Sequence, residues 1–107
     1  MSSTAPPPIF SIELATGDEG QVTAVVTGEV DAATADQLQN TLTGAIPEAS
    51  SIDVDLGSVN FMDSSGLRAL VVAMNSAEEA GVALRITATT PAVDRLLEIT
   101  GLTQHLT

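Results

Sequence analysis

Ile52, Val54 and Leu56 alternate with Asp53 and Asp55. A strand covered by helices on both faces reads as an unbroken apolar run, so two carboxylates on one side predict a sheet with one face open to water. Three further stretches repeat the one-sided pattern. Phe10, Ile12 and Leu14 alternate with Ser11 and Glu13. Val22, Ala24 and Val26 alternate with Thr23, Val25 and Thr27 in a Val- and Thr-rich run that ends at Val30. Val82, Leu84 and Ile86 alternate with Ala83, Arg85 and Thr87. Gly17-Asp18-Glu19-Gly20 reads as the turn of a hairpin joining the first two strands. Between the other strands the apolar period changes to that of a helix. Ala35, Leu38, Leu42 and Ala45 follow Asp31 as cap and precede Pro47; Leu67, Leu70, Val71, Met74 and Ala77 precede Gly81. Val93, Leu96 and Leu97 follow Thr90 and Pro91 and precede Gly101. The order is β-β-α-β-α-β-α. It predicts an α/β domain with a mixed, mostly parallel sheet, right-handed crossovers and the helices packed on one face.

The third strand leads into the second helix through Phe61-Met62-Asp63-Ser64-Ser65-Gly66-Leu67. An acid, two hydroxyls and a glycine sit where a helix presents its free N–H groups. A corner of this kind suits an N-cap carboxylate or hydroxyl, and it also attracts anions. The local pattern alone is satisfied by a well-capped helix. Parallel pairing would set the end of the Val22–Gly28 strand beside that of the Ile52–Leu56 strand, bringing Asp31 and Asp63 to one edge.

A chain of 107 residues supports one core. With two Phe and neither Trp nor Tyr, that core has to be aliphatic. Fourteen acidic residues against three arginines give a net charge of −11. Such a balance disfavours nucleic acid and anionic membrane surfaces, and serves either solubility or steering toward a basic partner. No apolar run approaches the roughly 20 residues of a membrane-spanning helix, and no secretory signal pattern is present. The absence of Cys is compatible with the cytoplasm, the expected location. Residues 1–8, ending in three prolines, read as a disordered tail ahead of a domain at 9–107.

Enzyme readings find little support. Asp53-Val54-Asp55-Leu56 is superficially similar to the paired aspartates of dehalogenase-type phosphotransferases, but alternation places both acids on one face in mid-strand, and no Lys is available for a phosphate. The one histidine, His105, stands near the chain end, and a Gly-x-Ser-x-Gly nucleophile turn is absent. No metal-ligand spacing appears, and no cofactor is expected.

Phe61 to Leu67 resembles the signature of the STAS domain family, in particular the bacterial anti-sigma factor antagonists. Gly28-Glu29-Val30-Asp31 is similar to that family's Gly-Glu-Leu-Asp segment, and Val54-Asp55-Leu56 to its central strand. Thr90 to Leu97 with Gly101-Leu102 is similar to its last helix. The resemblance runs from Ile9 onward. It implies an unphosphorylated antagonist that binds an ATP-binding anti-sigma factor, itself a serine kinase, and so frees a sigma factor. It implies Ser65 as the phosphoacceptor, with Asp31, Asp63, Ser64 and Gly66 around it, and a separate phosphatase that restores the complex. Two alternatives stay open: a STAS interaction scaffold that is never phosphorylated, and a small-anion or nucleotide binder at the corner.

Overall fold

The computed structural model describes residues 10–100. The expected tail at 1–8, Ile9, Gly101, Leu102 and His105 lie outside the described residues. Strands β1 (Phe10–Thr16), β2 (Gln21–Val30), β3 (Ser51–Met62) and β4 (Ala83–Ala88) alternate, after the first pair, with helices α1 (Ala35–Ala45), α2 (Ser64–Glu79) and α3 (Pro91–Thr100). The sheet order is β1-β2-β3-β4, with β1 antiparallel to β2 and the other pairs parallel. This is the order and the mixed sheet that the apolar periods predict.

The hairpin turn carries Glu19 at φ 62° and Gly20 at φ 82°, and the Ser50 hydroxyl donates to the Glu19 carbonyl at 2.7 Å. The hairpin is thereby tied to the entry of β3. Leu14, read as inward-facing, is exposed. It stands on the edge strand, where α1 ends in Gly44 and Ala45, residues too small to cover it.

On the inner face Val22, Ala24, Val26, Ile52, Val54, Leu56 and Ile86 are buried beside Leu38, Leu42, Leu70, Val93 and Leu97. On the outer face Asp53 and Asp55 are half-buried and Arg85 is exposed. The Arg85 guanidinium lies 3.2 Å from the Asp53 carboxylate. Among the described residues no second helical layer covers that side, and a pair this wet contributes at most about 1 kcal/mol.

One boundary and one buried face differ from the sequence reading. Strand β3 does not stop at Leu56 but runs on to Met62. Between Asp55 and Ser58, and again between Val59 and Phe61, it inserts one extra residue against β2. Each bulge shifts the alternation, so Leu56, Val59 and Met62 are buried at intervals of three. The first bulge is held by the Gly57 N–H, which donates to Asp55 Oδ1 at 2.8 Å. In β2, Gly28 meets the second at φ 100°, a conformation that favours glycine. In α2 the buried residues include Ala69 and Ala73, whereas Val71 and Met74 are only half-buried. The helix leans on α1 as well as on the sheet, and small residues at 69 and 73 allow that approach. At its end Gly81 adopts φ 75° while the Val82 N–H donates to the Ala77 carbonyl at 2.8 Å, a left-handed stop. The Thr90 hydroxyl donates to the Val59 carbonyl at 2.8 Å, anchoring the start of α3 to β3.

Candidate functional site

Parallel pairing of Val30 with Met62 brings the β2–α1 turn and the β3–α2 corner together. The Asp63 N–H continues the ladder by donating to the Val30 carbonyl at 3.1 Å. The chain then turns sharply into α2. Asp63 is the N-cap: its Oδ1 accepts from the Ser65 N–H at 2.8 Å and the Gly66 N–H at 3.3 Å. The Asp63 carbonyl takes the Leu67 N–H at 3.1 Å, the first full turn of the helix.

Gly66 has a packing reason to be glycine. A Cβ there would lie 2.6 Å from Val30 Cγ1 and 2.7 Å from Met62 Cγ. Its missing side chain lets the first turn of α2 rest directly on the ends of β2 and β3. Ser65, one residue before, is half-buried, while Ser64 is exposed.

Asp31 arrives beside this corner as topology requires, but it does not cap α1 itself. Its Oδ1 accepts from the Ala33 N–H at 2.9 Å and the Thr34 N–H at 3.2 Å. The Thr34 hydroxyl accepts from the Asp31 N–H at 3.0 Å and lies 3.1 Å from the Glu29 carbonyl, to which it donates. The result is a latched turn over residues 31–34, and α1 begins only at Ala35. Thr34 was not marked by the sequence pattern. It occupies the third position after an Asp, where a helix-opening sequence places a capped residue, and only its side-chain bonds show that it closes a turn instead.

Between the two turns runs an open groove of about 340 Å³ lined by Ala32, Asp36, Gln39, Ser65, Arg68 and Val72. Asp31 and Asp63 open the two turns that lead into the helices of this groove, and Ser65 lies in its wall. Arg68, one of three basic residues in the chain, shares that wall with Ser65 and was given no role by the motif. Spacing of three residues on a helix was the signal that could have paired them. Among the described residues, no group of three or more His, Cys, Asp or Glu is placed to hold a metal ion, and no helix is long and apolar enough to cross a membrane.

Two amide donors of the corner are already engaged. Of the three first-turn N–H groups without a helical partner, those of Ser65 and Gly66 bind the Asp63 carboxylate. Much of the anion-binding potential of this helix start is thus taken up by the protein's own acid.

Comparison with known proteins agrees with this architecture. The family model described as "Mlab, STAS domain" matches residues 14–107. The anti-sigma-B factor antagonist of Listeria monocytogenes serovar 1/2a is 34% identical over 94 residues, covering 87% of this chain and 82% of that protein. A crystal structure of an anti-sigma factor antagonist from Mycobacterium paratuberculosis superposes with a TM-score of 0.81 at 24% identity, covering 96% of this chain and 87% of that one. The phosphorylated form of the Bacillus cell fate determinant SpoIIAA superposes with a TM-score of 0.75 at 20% identity, covering 91% and 89%. The sheet order, the helix order and the family match agree, and the chain belongs to the STAS domain family.

Proposed function

We propose that this protein is an anti-sigma factor antagonist whose state is written on Ser65. Unphosphorylated, it binds an anti-sigma factor that is also an ATP-dependent serine kinase, and a sigma factor is released. The kinase transfers the γ-phosphoryl group of ATP to Ser65 Oγ, the hydroxyl proton departs, and ADP leaves. A Ser/Thr phosphatase returns the hydroxyl by hydrolysing the ester. All of this takes place in the cytoplasm, without direct contact to nucleic acid or membrane. The chain acts as a substrate and a binding partner, and needs no catalytic group of its own.

The observation that carries this reading is the placement of Ser65. Its side chain stands half-buried on the wall of the groove between the two Asp-led turns, on a helix start fixed by the Asp63 cap and by the packing of Gly66. Ser64 precedes it, exposed and outside the groove. Phosphorylation adds a charge of roughly −1.5 to −2 at neutral pH. Free in water that charge is hydrated, whereas a partner covering the groove would have to strip its water. Folding therefore tolerates the phosphate and association does not. The named role of the Listeria relative and the occurrence of this fold in a phosphorylated form support the same reading.

The test is incubation with the anti-sigma kinase and Mg-ATP, followed by intact mass measurement and titration against the kinase. One phosphate is expected on the native chain and none on Ser65→Ala, with Ser65→Ala still binding and Ser65→Glu binding weakly. Equal affinities of the Ala and Glu variants, or a phosphate on Ser65→Ala, would overturn the assignment.

A further inference from the structure

The groove holds an acid from α1, Asp36, and a cation from α2, Arg68, with Ser65 on the same wall as the cation. Among the described residues Arg68 is engaged in no hydrogen bond or ion pair. Ser65 and Arg68 are three residues apart on one helix, so their Cβ atoms lie about 5–6 Å from each other. That separation is short for an extended guanidinium and suited to one that folds back over a phosphate ester on Ser65.

Two backbone receptors for such a phosphate are closed. The Ser65 and Gly66 amides are bound to Asp63, and displacing that carboxylate would cost the helix its cap. The charged groups that the paired strand ends and the groove place about position 65 are Asp31 in the β2–α1 turn, Asp36 in α1, Asp63 in the corner, and Arg68 in α2 itself. Three are acidic. Arg68 is the one able to neutralise the new charge, and its fork of donors matches phosphate oxygens.

We infer that Arg68 is the intramolecular partner of phosphorylated Ser65, a built-in clamp that folds the phosphate along the groove and holds it there. The inference rests on Ser65 as the phosphoacceptor. It adds a residue that stabilises the switched-off state without touching the unphosphorylated one. In the unmodified chain Arg68 is unengaged at the groove, so its replacement leaves the unphosphorylated fold as it was. After modification the same replacement exposes the phosphate to three acids.

The experiment uses the full chain with phosphoserine installed at position 65 during translation, so the clamp is tested without the kinase, and a failure here is distinct from a failure of Ser65 as the kinase's target. The second ionisation of the phosphate is followed by phosphorus NMR as pH is varied, in the native sequence, in Arg68→Gln and in Arg68→Lys. A neighbouring cation lowers that pKa. It is expected to be higher in Arg68→Gln than in the native chain by about half a unit or more. Arg68→Lys, which keeps the charge and loses the fork, should fall between them. Circular dichroism and thermal melting of the three unphosphorylated proteins should coincide. Identical phosphate titrations of the native and Gln forms, with both folded, would overturn the clamp, as would a Lys form no different from Gln.

Discussion

The two turns that frame the groove begin alike and end differently. Asp31 and Asp63 each stand one residue past a paired strand end, and each uses one carboxylate oxygen to take the amides two and three residues ahead. At Asp63 the helix starts at once, whereas at Asp31 it waits until residue 35. The third residue decides. After Asp63 it is Gly66, whose lack of a side chain lets the helix drop onto Val30 and Met62. After Asp31 it is Thr34, whose hydroxyl folds back onto the Asp31 amide and the Glu29 carbonyl and spends the turn on itself. One acid motif thus gives a docked helix start or a latched loop, according to whether a glycine or a hydroxyl follows. The docked side presents Ser65 on a rigid platform, and the latched side is held mainly by its own hydrogen bonds.

Exchanging the deciding residues should break the comparison most sharply. Gly66→Ala places a Cβ against Val30 and Met62 and is expected to cost about 1–3 kcal/mol, with Gly66→Thr at or beyond the upper end. Thr34→Ala should cost no more than about 1 kcal/mol, because it removes hydrogen bonds at a partly exposed turn. Urea midpoints of the three variants check this. Equal losses on the two sides would show that the corner is no more firmly docked than the turn.

Next in size are the acids themselves. Asp63→Ala removes the N-cap of a helix of 16 residues and should cost about 1 kcal/mol, up to about 2. Asp31→Ala removes bonds within a turn that α1 does not depend on for its cap, and about half as much is expected. A larger loss at Asp31 than at Asp63, by thermal or urea unfolding, would reverse the ranking.

What the sequence disclosed follows from the same contrast. Alternation marks β2 and β4 because their burial keeps a period of two, it marks β1 as a strand although Leu14 at its end is exposed, and the helical period marks three helices. Topology alone brought Asp31 beside Asp63. The length of β3 was hidden because its bulges expose Gly57-Ser58 and Asn60-Phe61 as pairs, which reads as the end of a strand. The buried face of α2 is legible in Leu67, Leu70 and Ala77, whereas Val71 and Met74, read with them, are only half-buried. Ala69 and Ala73 are buried as well, and hydrophobic size does not distinguish them. Asp31 looked like a helix cap because its spacing is that of Asp63, and only the fold of the Thr34 side chain tells them apart. Arg68 escaped notice because its significance depends on the opposite wall of the groove.

Hydrogen exchange gives a finer measure. The Ser65 and Gly66 amides should open less often than those of Ala33 and Thr34, although all four bond to a carboxylate, because opening the former undocks α2 from the strand ends. A difference of about tenfold in protection corresponds to about 1.4 kcal/mol. Matching protection would mean that the cap bonds alone, and not the docking of Gly66, set the stability of the corner.

The smallest effect on folding, and the one that best separates structure from recognition, is expected for Asp31→Asn. An asparagine presents the same carbonyl oxygen to the Ala33 and Thr34 amides, so the latched turn should persist. The charge is lost, but the turn does not cap α1, so little helix-dipole energy goes with it. A stability change within about half a kcal/mol is therefore expected. Binding is a different matter. If the acidic turn beside the groove meets a basic patch on the anti-sigma partner, Asp31→Asn should slow association and flatten its dependence on salt, with dissociation nearly unchanged. The measurement is a set of association rates at several salt concentrations for the native and Asn proteins, beside their urea midpoints. Unchanged rates with an unchanged midpoint would reduce Asp31 to a turn-former. A large drop in midpoint would show that its charge, and not only its oxygen, holds the turn.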